Sequence, residues 1–160
     1  MRKWLEGIAL LALGLHIAIT LLALIGAEKL PEKIPIHFDV KGRPNGWGSP
    51  AMILLLPAIT VFIYLLFTVV TRFPGAFNYP VKVTSLNRQR LQNLVLDLMA
   101  WLKAEVVTLL TWMQWVMIEV ARHPEKHMPA MTVAAFVVVF ATVTFYIVQL
   151  FKAGKEPLRS

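Results

Sequence analysis

Four histidines and nine acidic residues are the side chains able to ligate metal or move protons in this 160-residue chain, since cysteine is absent. His123 and His127 stand four residues apart and could hold one metal ion from one helical face. His37 offers a third ligand, and Asp39, alternating with it on an extended strand, would share its side. Pro124 directly after His123 fits a first helical turn only, and loop histidines more often cap or face water. The trio His37, His123 and His127 is thus the metal candidate, and a metal-dependent enzyme the least favoured reading. Ser49, Ser85 and Ser160 lack the strand–turn–helix context of an activated serine. Glu119, Glu125 and the histidine pair form no recognisable acid–base set, and no glycine-rich phosphate loop occurs. The expectation is no catalytic residue, no cofactor and no enzymatic activity. The other polar candidates, His16, Asp97, Lys103 and Glu105, lie within apolar stretches, where ionisable groups are costly and by default functional.

Those stretches decide the fold class. The chain is 58% hydrophobic and 16% charged, against about 25% charged in soluble domains. Between Arg43 and Arg72 lie 28 consecutive uncharged residues, and 24 lie between His127 and Lys152. A helical span needs only about 20. The expected architecture is all-α, with a single membrane domain over 1–160 and transmembrane helices near 4–26, 51–71, 94–118 and 131–151. A cleaved signal peptide is the rival for the first span, but signal cores are only about 7–15 residues long, so an uncleaved anchor is expected. The third span is the weakest. It holds Asp97, Lys103, Glu105 and Gln114, and Lys103 must snorkel or find a partner.

Lys and Arg set the orientation. One side carries Arg2, Lys3, Arg72, Lys82, Arg88, Arg90, Lys152, Lys155 and Arg159; the other carries Lys29, Lys33, Lys41, Arg43, Arg122 and Lys126. The excess favours both termini in the cytoplasm, with a basic inner loop over 72–93 and an outer loop over 27–50. The net charge of +7 then reflects contact with anionic lipid rather than nucleic acid. Ser85 is an expected N-cap for a third helix that starts in the cytoplasm and runs unbroken into the bilayer.

On a helical wheel, Arg90, Asp97, Trp101, Glu105, Thr108, Trp112, Trp115 and Glu119 form one acidic and aromatic stripe that should turn from lipid, with Lys103 and Gln114 on another face. His16 and Glu105 are similarly far along their spans, so a His16–Glu105 hydrogen bond is expected; the alternatives are His16 on a carbonyl or water, and Glu105 neutral or paired with Lys103 of a second copy. Thr and Met in the spans read as packing residues.

In the outer loop, Pro31 and Pro35 hold the chain near extended geometry. Gly42, Asn45-Gly46 and Gly48 then allow turns with positive φ. A small extended or β-like cap over 31–48 should result. Leu30, Pro31, Ile34, Pro35, His37, Gly42, Gly46, Trp47, Gly48 and Ser49, with the later Asn78-Tyr79-Pro80-Val81-Lys82-Val83-Thr84 and Asn87, stand as in a known pattern. The chain resembles the membrane-protein family of domain of unknown function 1648, the N-terminal part of SdpI-type toxin-immunity proteins. Asn45 stands where an Asp is usual and Pro50 where a Lys is usual, so a role needing that acid–base pair is not carried over. The resemblance implies a bacterial-type inner-membrane protein concerned with resistance to a membrane-active toxin or peptide.

Two functions follow as expectations. The first is a non-enzymatic, SdpI-like four-helix membrane protein whose outer loop, through Pro35, His37, Phe38, Asp39, Gly42, Asn45, Gly46 and Trp47, binds or excludes a peptide, toxin or protein partner, or serves as an accessory or signalling subunit. The second is a transport or proton-path component using His16 and Glu105, which would need a homo-oligomer or a larger membrane complex because four helices are few.

Overall fold

The computed structural model describes residues 1–155, so Arg159 and Ser160 lie outside the described residues. Along the chain come α1 (Arg2–Ile25), β1 (Ile34–Phe38), β2 (Pro44–Gly48), α2 (Leu55–Val70), α3 (Arg88–Arg122) and α4 (Met131–Lys155), with 3-10 turns at Pro50–Leu54 and Pro74–Ala76. The fold is all-α with a small β cap, as expected. Three segments are long and apolar enough to cross a membrane: Arg2–Ile25, Pro50–Val70 and Met131–Lys155. Because the 3-10 turn delays α2 to Leu55, Pro57 falls in its first turn. There the missing N–H would have had no intrahelical partner.

The exception is α3, whose 35 residues extend about 52 Å. It is not among those three segments, and α1, α2 and α4 all pack on it. Its faces see protein more than solvent, so it can carry polar side chains that a lipid-facing helix could not.

Paired residues give the directions. Moving up α1, Arg2 meets Asp97, Ala12 meets Thr111, Thr20 meets Gln114 and Glu28 meets Arg122, so α1 and α3 run parallel. Ile53 meets Gln114, Thr60 meets His16 and Tyr64 meets Glu6, so α2 runs back. Thr132 meets Trp112 and Thr142 meets Glu105, so α4 runs back too. Met1, the 71–87 connection and Lys155 therefore share one end, and the hairpin and the 123–130 connection share the other. The helices do not form the square bundle in which α1 and α3 would be diagonal; these two share the most extensive contact, while α4 packs extensively on α3 alone.

At the terminal end, Phe77, Tyr79, Val81 and Val83 pack on Leu91, Val95, Leu150 and Ala153. Ser85 is not the N-cap. Asn87 is, and it is locked to Thr84: the Thr84 N–H donates to Asn87 Oδ1 at 2.7 Å and the Asn87 N–H to Thr84 Oγ1 at 3.3 Å. This local lock, rather than a side-chain cap on the helix, sets the start, and α3 then runs without a break.

At the other end, β1 and β2 pair antiparallel, Ile34 with Gly48, Pro35 with Trp47, His37 with Gly46 and Phe38 with Pro44. The turn is made by Asp39, whose Oδ1 accepts the N–H groups of Lys41 (2.8 Å) and Arg43 (2.9 Å) and whose Oδ2 meets Arg43 Nε at 3.0 Å. The Arg43 N–H, above all, holds the Asp39 carboxyl below the usual carboxylate range, aided by the Arg43 guanidinium and the Lys41 N–H. Positive φ occurs at Gly42 alone among the described residues (74°). The expectation of positive φ at Asn45, Gly46 and Gly48 is thus corrected: Asp39 closes the turn early, and these residues lie in β2. Gly46 serves close approach instead, since a Cβ there would stand 2.9 Å from the Cβ of His37.

The turn is docked on the 123–130 connection: the Met128 N–H donates to Gly42 O at 2.8 Å, and a Cβ on Gly42 would stand 2.5 Å from Met128 O. Gly42→Val combines that clash with left-handed strain of about 1–2 kcal/mol. Faster limited proteolysis within 27–49, with the melting of the helices little changed, is the expected outcome.

Candidate functional site

Three polar layers run up the interface of α1, α2 and α3. In the lowest, Lys103 of α3 forms an ion pair with Glu6 of α1. The Lys103 side chain is only 7% exposed; it donates to Thr68 Oγ1 at 3.2 Å and lies 4.8 Å from the centre of the Tyr64 ring. The Tyr64 hydroxyl donates to Glu6 Oε1 at 2.5 Å. Lys103 thus finds a partner rather than snorkelling.

The middle layer is His16, fully buried. Its Nδ1 lies 3.3 Å from Thr60 Oγ1 and 3.4 Å from Thr111 Oγ1. Each hydroxyl has one hydrogen, and each gives it to a carbonyl: Thr60 to Leu56 O (2.8 Å), Thr111 to Val107 O (2.8 Å) or Ala12 O (3.0 Å). Only their lone pairs remain, so Nδ1 carries the proton and donates. Nε2 is then an acceptor, buried and without a partner among the described residues. In the upper layer, fully buried Gln114 donates through Nε2 to Thr20 Oγ1 (3.0 Å) and Ile53 O (3.1 Å), and Thr20 donates to His16 O at 2.8 Å. The layers are therefore linked. Reading the threonines of the spans as packing residues is corrected here, because their hydroxyls carry the network. Gln114→Leu strands the Ile53 carbonyl and should cost about 1–3 kcal/mol, read as a lower melting temperature in detergent.

His16 and Glu105 are not paired. Glu105 Oε1 accepts the Thr142 hydroxyl of α4 at 2.7 Å. Asp97 is level with Arg2, so Glu105 lies near the level of Ala9. It is about seven residues, or 10 Å, below His16. The same register moves Asp97 out of the interior: it meets Arg2 Nε at 2.6 Å at the bundle's end. Lys103 and Gln114 do share a face distinct from the stripe, whose Trp101, Glu105, Thr108 and Trp112 line a groove beside α4. Glu6, Tyr64 and Thr60 were not among the sequence candidates. The findable signal was Glu6, an acid inside the first span, of opposite sign to Lys103.

In the cap, His37 Nδ1 meets Asn45 Oδ1 at 2.5 Å, so the amide stands against the ring at the position where the family pattern has Asp. The proposed metal trio is not brought together. Among the described residues no three His, Asp or Glu side chains gather as a metal site. His37 is engaged by Asn45, and His123 faces Glu119 (3.9 Å) and Glu125 (3.6 Å) of its own segment. His127 lies with Lys126 and Pro129 in a shallow pocket near Glu119. Pro35 is buried beneath the hairpin, while Ile36, Trp47 and the fully exposed Val40 face outward.

The cap and the adjoining parts of α1 and α2 are similar to a known family. Residues 14–61 match the family described as a domain of unknown function, DUF1648. That domain takes in the second half of α1, with His16 and Thr20, the whole hairpin, and α2 as far as Thr60. An uncharacterized protein of Archaeoglobus fulgidus is 37% identical to this chain over 95 residues, which cover 52% of this chain and 51% of the relative. The chain thus spans about half the length of that relative. No solved structure matches significantly. The matched segment contains the His16, Thr20, Ile53 and Thr60 of the middle and upper layers, which α3 completes with Thr111 and Gln114, while the lowest layer lies outside it.

Proposed function

We propose that this is a non-enzymatic, SdpI-like integral protein of the cytoplasmic membrane, with α3 as a fourth span, both termini in the cytoplasm and the hairpin outside. The cap is its recognition surface for a membrane-active peptide or a protein partner. One observation carries this: a hairpin fixed at both its base and its tip holds Ile36, Val40 and Trp47 out to solvent. A rigid element with an exposed aromatic anchor loses little entropy on binding. The supporting argument for the fourth span is that α3 keeps pace with α1 from Arg2 to Glu28, so a bilayer around α1 also encloses α3. The basic inner loop sets the orientation. The test is survival of a sensitive host challenged with a panel of membrane-active peptides. Expression should protect against at least one, and Trp47→Ala should remove protection without lowering protein level; unchanged survival argues against the reading.

A second reading, a transport or proton-path component, is favoured by the polar layers and the open Nε2 of His16. Proton flux in liposomes that vanishes with His16→Phe would support it. It would require assembly of several copies.

A further inference from the structure

The groove beside α4 is separate from both the hairpin and the polar layers. α1 and α4 each pack on α3 but share no extensive contact, which leaves a strip of α3 open between them. The cavity there has a volume of about 390 Å³, within the roughly 300–1,000 Å³ of small-ligand sites. Its walls are aliphatic on α1 and α4, with Ile8 and Val138 at the exposed rim. Its floor is Trp101, Glu105, Thr108 and Trp112, which recur at helical spacing on one face.

Two features of that floor point to a charge. Glu105 Oε1 accepts from Thr142, but Oε2 is buried and has no hydrogen-bond partner among the described residues. Trp112 has its N–H committed to Thr132 Oγ1 at 3.0 Å and stacks at a tilt on Trp115, with centroids 4.9 Å apart. Its polar edge is thus satisfied, while its ring borders the cavity. A carboxyl and indole faces in an apolar groove attract the same ligand: a cation on an apolar body. An acyl chain would leave the carboxyl unmatched. A second copy of this chain would need a basic side chain at that depth, and Lys103 is already paired with Glu6 on another face of α3.

We propose that the groove between α1 and α4 binds an amphiphilic organic cation, with Glu105 as counter-ion and Trp101 and Trp112 as ring walls. The inference does not depend on what the hairpin recognises. The experiment measures binding of tetraphenylphosphonium to the purified protein in phosphatidylcholine nanodiscs, by equilibrium dialysis against empty nanodiscs. Saturable binding of one cation per chain is expected, with no competition from neutral triphenylphosphine oxide. Glu105→Gln should weaken binding by about tenfold or more. Val138→Trp, at a lipid-facing rim position, fills the groove without touching Glu105 and should weaken binding similarly while melting stays unchanged. Binding no greater than to empty nanodiscs, equal binding by Glu105→Gln, or disulfide-linked dimers of a Val138→Cys variant that exclude the cation would each overturn the proposal.

Discussion

Glu6→Gln is expected to destabilise the folded protein by about 2–3 kcal/mol. That is less than the cost of breaking a fully buried pair, because the Glu6 side chain is 39% exposed although that of Lys103 is only 7% exposed. The Gln side chain keeps the size of Glu but not its charge, leaving the Lys103 ammonium buried with Thr68 Oγ1 and the face of the Tyr64 ring as its neighbours. Neither neutralises it. Tyr64 also loses its carboxylate acceptor. The measurement is the unfolding midpoint in mixed micelles of rising SDS fraction. Lys103→Met in the same background should recover much of the loss, since two neutral partners cost less than one stranded charge. If Glu6→Gln alone unfolds with the wild-type midpoint, the ion pair does not hold these helices together.

Ile53→Ala should cost about 2–5 kcal/mol, through a cavity at a site with no freedom to collapse. Ile53 is fully buried in the 3-10 turn before α2 and packs in one cluster with Ala23 of α1, Ile34 of the hairpin and Met117, Ile118 and Ala121 of α3. Four elements meet at this residue, so losing it loosens the joint between cap and helices. In lipid the loss is one of packing more than of hydrophobic transfer, since lipid tails are as apolar as the side chain. Hydrogen exchange is the discriminating readout. Protection should fall in 34–48 as well as at the start of α2, while the far end around Leu91 keeps its own. A uniform change along the chain would show instead that the cap is not a separately anchored unit.

The elements were legible where one solvent dictates them. The uncharged runs 44–71 and 128–151 are each long enough to contain a helical span, and the prolines and glycines of 31–48 announced the extended, turning segment that overlaps the first of them. The place of α3 was harder to read. A helix walled by three others resembles a water-facing one in composition, so Lys103 and Gln114 read as polar interruptions. They are instead the helix's contacts with α1 and with the start and end of the α2 segment. Taking Leu94 as level with Trp4 puts His16 opposite Glu105, but Asp97 stands level with Arg2, and that offset of about five residues carries the pair out of register. The threonine network was invisible for a different reason. A helical threonine donating to its own preceding turn looks the same in sequence whether or not its lone pairs also receive an imidazole N–H. The metal trio failed because histidines brought to one end of a molecule still need to converge, and His37 is held by Asn45 across the hairpin.

The direct test of the account is sidedness, and the absence of native cysteine makes it clean. Single cysteines introduced as Lys3→Cys, Val40→Cys, Asn78→Cys and Glu125→Cys are probed with a membrane-impermeant maleimide on intact cells, then after permeabilisation. Four crossings with α3 among them require Val40→Cys and Glu125→Cys to label in intact cells, and Lys3→Cys and Asn78→Cys only once the membrane is opened. Labelling of Val40→Cys and Glu125→Cys from opposite faces would mean that the helices do not cross together, and the account would be wrong.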